Sequence, residues 1–173
     1  MEKMLAFVDG SIYSESVCDH TLWIAQKNRS KVSIFNIIDV SETSHNTSNF
    51  SGNLVAEARN TLLSELAELD NKRAKLAQKK GRLILDDAEA RLIEGGLKNI
   101  DTHLRHGDFV DTVTEFQEEA DILVIGKRGE AANFAKLHLG SNLERLIRSA
   151  NKPVLVAARI FRPIKKILIG FDG

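Results

Sequence analysis

Short apolar runs alternate along this chain with longer stretches of helical periodicity. Met4 to Val8 is apolar and stops at Asp9-Gly10-Ser11, which reads as a buried strand followed by a turn. From Ser14, placed as an N-cap, Val17, Cys18, Thr21, Leu22 and Ala25 recur at helical spacing. Val32 to Ile38 is rich in β-branched residues, reads as a second strand and ends at Asp39. Strand, helix and strand in that order form a βαβ unit, so the strands are parallel.

Residues 41–53 break the pattern, nine of the thirteen being Ser, Thr or Asn, and read as a loop. Helical periodicity then runs from Leu54 through Leu62, Leu66, Leu69, Leu85, Ala88 and Leu92 to Gly95-Gly96. Gly81 is read as a kink or break, giving two helices or an arm that projects from the body. Lys72, Arg73, Lys75, Lys79, Lys80 and Arg82 cluster there, as a solvated face or a docking surface. A third strand is expected near Ile100–Arg105, a helix over Phe109–Ala120 and a buried strand over Ile122–Ile125. A loop from Gly126 precedes a helix over Ser141–Ser149 and a fifth strand over Pro153–Ala157. The fold class that follows is α/β, an open doubly wound five-stranded parallel sheet of Rossmann-like type.

The last eight residues, Lys166 to Gly173, repeat the pattern of Lys3 to Gly10, including the closing Phe-x-Asp-Gly or Phe-Asp-Gly turn. The expected organisation is a domain over 1–158, a linker over 159–165 and the first strand of a second, truncated repeat over 166–173. A sixth strand closing the first domain is the alternative.

Composition narrows the partners. The chain has 173 residues, 24 basic and 24 acidic, and formal net charge zero. That balance argues against nucleic acid or an anionic membrane as a partner. No apolar run is long enough to span a bilayer, and the first residues do not form a secretion signal. A cytoplasmic location is expected. The single cysteine, Cys18, excludes an internal disulfide and a cysteine-based zinc site.

In an open parallel sheet, ligands bind beyond the carboxyl ends of the strands, where the strand order reverses. Asp9, Ile37, and the loop Gly126-Lys127-Arg128-Gly129 leading to Gly140-Ser141 all fall at such ends. The glycines let backbone approach a ligand, and the helix opening at Ser141-Asn142 offers free N–H groups to an anion. Neither the dinucleotide fingerprint nor a Walker loop is present.

These residues resemble the universal stress protein family over residues 3–158. The resemblance rests on Asp9-Gly10-Ser11, Gly107-Asp108, Ala120 to Gly126, Gly129, Gly140-Ser141 and Asn151 to Val156. It implies the adenine-nucleotide α-hydrolase-like variant of the fold, and binding of ATP or AMP, with Mg2+ as a further component. Adenine would lie near Asp9 and Ile37, and ribose and phosphates against Gly126, Arg128, Gly129, Gly140, Ser141 and Asn142. It also implies pairing through the fifth strand, Val154–Ala157, by self-association or with a second tandem domain.

Two departures stand out. Ten residues separate Gly129 from Gly140 where the family's nucleotide binders have nine, and Leu143 stands where they usually carry a hydroxyl. No catalytic residue and no metal ligand set is assigned, and enzymatic activity is at most a weak ATPase. His103 and His106 lie three apart, which on a strand directs their rings to opposite faces. The expected function is a stress-response nucleotide binder acting as a conformational or partner switch. The alternative is a dimerisation or interaction scaffold of the same fold that binds no nucleotide.

Overall fold

The computed structural model of the chain describes residues 2–39, 56–129 and 141–170. Five strands, β1 (Lys3–Phe7), β2 (Lys31–Ile38), β3 (Ile100–His106), β4 (Ile122–Gly126) and β5 (Val154–Ala157), form one sheet. Every pairing is parallel and the order is β3-β2-β1-β4-β5. Among the described residues four helices connect them: α1 (Ser14–Asn28), α2 (Ala56–Glu94), α3 (Phe109–Phe116) and α4 (Ser141–Ser149). Strand order reverses beside β1, which places the switch point between β1 and β4.

The central strands are apolar on both sides because helices cover both faces. Alternate residues of β1 and β2 serve two separate cores. Met4, Ala6, Val8, Val32 and Ile34 pack with Val17 of α1 and with Leu85 and Leu92 of α2. Leu5, Phe7 and Phe35 pack on the opposite face with Val113 of α3 and with Leu143 and Leu146 of α4. The buried Asn36 donates from Nδ2 to the Val8 carbonyl at 2.8 Å, which ties β2 to the residue that leads out of β1.

Four sequence expectations change. Ser14 is not the N-cap of α1: Tyr13 holds that position without a side-chain bond, and the Ser14 hydroxyl turns back to the preceding loop. Gly81 does not break α2, which runs for 39 residues. A Cβ at Gly81 would lie 2.5 Å from Leu104 Cδ1 and 2.7 Å from Asn36 Oδ1, so the glycine serves close helix–sheet contact. From Gly81 onward α2 lies on the sheet, with Leu85, Ala88 and Leu92 buried, whereas residues 60–80 form an arm whose positions are mostly exposed. The expected helix over Phe109–Ala120 ends at Phe116 and finishes as a 3-10 turn over Gln117–Glu119. Finally, residues 166–170 add no sixth strand to this sheet, and Leu168 is 97% exposed. The loop expected over 41–53 lies outside the described residues.

Candidate functional site

Asp9 follows β1 by two residues. The ladder pairs Phe7 with Phe35 on β2 and with Ile125 on β4, so Asp9 lies just beyond its carboxyl end, as Ile37 and Lys127 lie two residues beyond those partners. The bond from Val8 N to Phe35 O, 2.9 Å, extends the ladder on the β2 side. At Asp9 the chain turns sharply. Asp9 Oδ1 accepts from Ser11 N at 2.9 Å and from the Ser14 hydroxyl at 3.2 Å. The same hydroxyl accepts from Asp9 N at 3.2 Å and Gly10 N at 3.0 Å. Such a local side-chain network is the usual device for holding an Asx turn. Gly10 is required there: its φ is +77°, and a Cβ would sit 2.7 Å from Ile84 Cδ1.

With Oδ1 engaged by the turn, the other carboxylate oxygen faces β4. A Cβ on Gly129 would lie 3.0 Å from Asp9 Oδ2, so the glycine loop and the carboxylate meet across the switch point. Gly126 ends β4 and is packed by Tyr13, whose Cβ would be 2.8 Å from a Cβ at that position. That closeness is a contact within the protein and accounts for this glycine by itself. Lys127 N donates to Ala157 O at 2.9 Å, fixing the loop's start to β5. Arg128 is half-buried, Gly129 exposed.

Ile37 is half-buried and its side chain joins the aromatic core beneath α3 and α4. Asn142 is exposed in the first turn of α4, and Ser141 opens that helix; Gly140 lies outside the described residues. Leu143 is 2% exposed and belongs to the core with Leu146. This position therefore faces the core in this chain. The structure thus brings Asp9 together with Gly129 and leaves Asn142 on the surface.

A clamp absent from the sequence reading fixes α4. Asp108 caps α3, accepting from Val110 N at 2.8 Å and Asp111 N at 3.1 Å. Its carboxylate also receives both Arg145 guanidinium nitrogens, at 2.9 and 3.1 Å. This fork-on-carboxylate geometry is the strong form of the pair. Hydrogen bonding from Arg145 holds the Asp108 carboxyl below its ordinary range, helped by the two backbone N–H groups. The clamp ties the turn after β3 to the second turn of α4. Its members are 37 residues apart, and no local motif announces the pair.

His103 and His106 fall on β3 without facing one another: the His103 ring stacks on Phe35 at 4.6 Å, while His106 is exposed. Among the described residues, no helix is long and apolar enough to cross a membrane.

The profile of the universal stress protein family matches residues 1–158. Universal stress protein Slr1230 of Synechocystis sp. is 32% identical over 174 residues, covering all of this chain and 61% of that protein. This chain therefore spans about three-fifths of that relative's length. Universal stress protein MJ0531 of Methanocaldococcus jannaschii is 32% identical, over 91% of this chain and 82% of its own length. Among solved structures, hypothetical protein MJ0577 superposes with a TM-score of 0.66 at 24% identity, covering 92% of this chain and 96% of its own. A universal stress protein in complex with cAMP gives 0.59 at 21% identity, with 92% and 98% covered. One from Archaeoglobus fulgidus in complex with dAMP gives 0.54 at 19%, with 91% and 97% covered. These likenesses carry the fold, and the family profile with the two relatives carries the membership: the chain belongs to the universal stress protein family.

Proposed function

We propose that this domain binds an adenine nucleotide, ATP or AMP, beyond the carboxyl ends of β1, β2 and β4, and that binding switches its conformation or its partners. The observation that carries this reading is the approach of Asp9 Oδ2 to Gly129 across the β1/β4 switch point. A carboxylate there suits the hydroxyls of a ribose or the amino group of a base. Arg128, the backbone at Gly126, Gly129 and Gly140, and the start of α4 at Ser141 and Asn142 suit phosphates. Ile37 would flank the base, and Mg2+ would accompany a triphosphate. The family relatives crystallised with cAMP and dAMP support an adenine nucleotide as the ligand class. We assign no turnover beyond a weak ATPase, and a cytoplasmic location.

We further propose that residues 1–158 are one domain, 159–165 a linker and 166–173 the opening strand of a second repeat. Ile167 and Ile169 are apolar and exposed, as expected of a strand whose sheet lies elsewhere, and the match to only 61% of the Synechocystis protein fits a longer design. On this reading β5, an edge strand with Val154, Leu155 and Val156 half-buried, pairs with that second domain or with another copy.

A scaffold that binds no nucleotide is the second reading, favoured by the engagement of Asp9 Oδ1 in its own turn and of Gly126 by Tyr13. Calorimetry and thermal shifts with ATP, ADP and AMP, with and without Mg2+, separate the two. At a hundredfold excess over Kd, binding to the folded state alone stabilises by about 2.7 kcal/mol. Gly129 does not have the positive φ seen at Gly10, Gly96 and Gly107, so Gly129→Val remains folded while crowding Asp9. The nucleotide reading expects a shift in the native chain that this variant loses. No shift in the native chain leaves the scaffold.

A further inference from the structure

The exposed half of α2 carries a leucine at every seventh position, Leu62, Leu69, Leu76 and Leu83. Leu69, Leu76 and Leu83 are 49%, 66% and 55% exposed. At 100° per residue they lie on the side of the helix opposite Leu85 and Leu92, which face the sheet. The stripe therefore points away from its own body. An isolated helix of this length is marginal in water without a packed face.

Charge along the arm is divided. Glu65, Glu68 and Asp70 precede the midpoint near Asn71, and Lys72, Arg73, Lys75, Lys79, Lys80 and Arg82 follow it. We propose that the arm pairs with the arm of a second copy of this chain, running antiparallel, as a short two-stranded coiled coil over residues 62–80. With the leucines at d, the a positions are Leu66, Arg73 and Lys80. A parallel pair would stack Arg73 on Arg73 and Lys80 on Lys80 in the seam. The antiparallel pair sets Leu66 against the partner's Leu76 and lays the aliphatic stems of Arg73 and Lys80 on the partner's Leu69 and Leu62. The same arrangement brings each acidic half beside the other copy's basic half. The 62–80 overlap is about 27 Å long, leaving the bodies at its two ends. This surface is separate from the β5 edge.

Sedimentation of the full chain at tens of micromolar tests the pairing. The variant Leu69→Lys/Leu76→Lys, altered only at exposed positions, should halve the assembly mass and leave the body's thermal transition in place. This expectation holds whether or not β5 also pairs. An unchanged mass, or a native chain that is already monomeric, overturns the proposal. Orientation is read by oxidative cross-linking in a Cys18→Ala background. Leu66→Cys mixed with Leu76→Cys should cross-link several-fold more than either alone. Preferential Leu66→Cys homodimers would overturn the antiparallel arrangement. Loss of pairing in 1 M salt, where charge is screened, accords with the divided arm, and insensitivity to salt contradicts it.

Discussion

The two sides of the sheet are built from different chemistry. Beneath α1 and α2 the layer is aliphatic, with Val17, Leu85, Ala88 and Leu92 on Met4, Ala6, Val32 and Ile34. Beneath α3 and α4 it is aromatic: Phe35 lies 5.5 Å from Phe7, 5.0 Å from Phe116 and 4.6 Å from the His103 ring. The titrating groups differ accordingly. Burial pushes the Cys18 thiol on α1 up to about 12, out of the neutral range. Burial, then Arg105, holds the His103 imidazolium below its ordinary value, so this ring gains charge only at lower pH. The difference teaches a division of labour. On the aliphatic side Leu92 and its neighbours hold the sheet by shape, whereas on the aromatic side, which underlies Ile37 and the opening of α4, the His103 ring answers to pH.

The largest effect should come from the aliphatic side. Leu92 is 1% exposed between α2 and the sheet, and Leu92→Ala removes buried methyl groups and leaves a cavity. We expect a loss of about 2–5 kcal/mol in urea unfolding. No charge changes, so the loss should be the same at pH 7.5 and pH 5.5. A loss under about 1 kcal/mol, or one that varies with pH, would break the division.

Much of this architecture was legible because parallel strands covered on both faces read as unbroken apolar runs. β1, β2, β4 and β5 fall within a residue of the runs that begin at Met4, Val32, Ile122 and Pro153. That Asp9 and the β4 loop both lie at strand ends was legible, whereas the adjacency of β1 and β4 that brings them together comes from the sheet order. Contacts made at a distance were not. Gly81 looks like a breaker in sequence, and only the proximity of Leu104 and Asn36 gives it another purpose. Ser14 matches an N-cap by type, yet a turn that begins five residues earlier uses its hydroxyl. Leu143 stands where a hydroxyl is usual in the family's nucleotide binders, and only its packing with Leu146 shows it to be core.

The next effect belongs to His103. Its folded pKa lies below the ordinary 6.5, so the unfolded chain takes up the proton first. Stability from this group is therefore present above pH 6.5 and is lost as pH falls toward the folded value. The charges nearest the ring are Arg105 and Asp101 on the same strand, Lys3 of β1 and Glu119 before β4. His103→Phe keeps an aromatic ring on Phe35 without the titration. The native chain's urea midpoint should fall between pH 7.5 and 5.5 by more than the variant's. Equal falls would move the pH response away from this side of the sheet.

The smallest effect separates the two roles of Asp108. As a cap it accepts two backbone N–H bonds, and Asp108→Ala should cost about 1 kcal/mol near neutral pH. As half of an ion pair it holds Arg145, whose side chain is 53% exposed, so Arg145→Met should cost less than the loss of the cap. The folded pKa of Asp108 is depressed, so its contribution stands above the usual carboxylate range and disappears as pH falls through the folded value. The two variants should therefore draw closer to the native chain as pH falls below the usual carboxylate range. If Arg145→Met instead matched Asp108→Ala at pH 7, the pair with α4 rather than the cap of α3 would be the larger of the two contributions of Asp108. The aromatic side would then owe its shape to charge as well as to its rings.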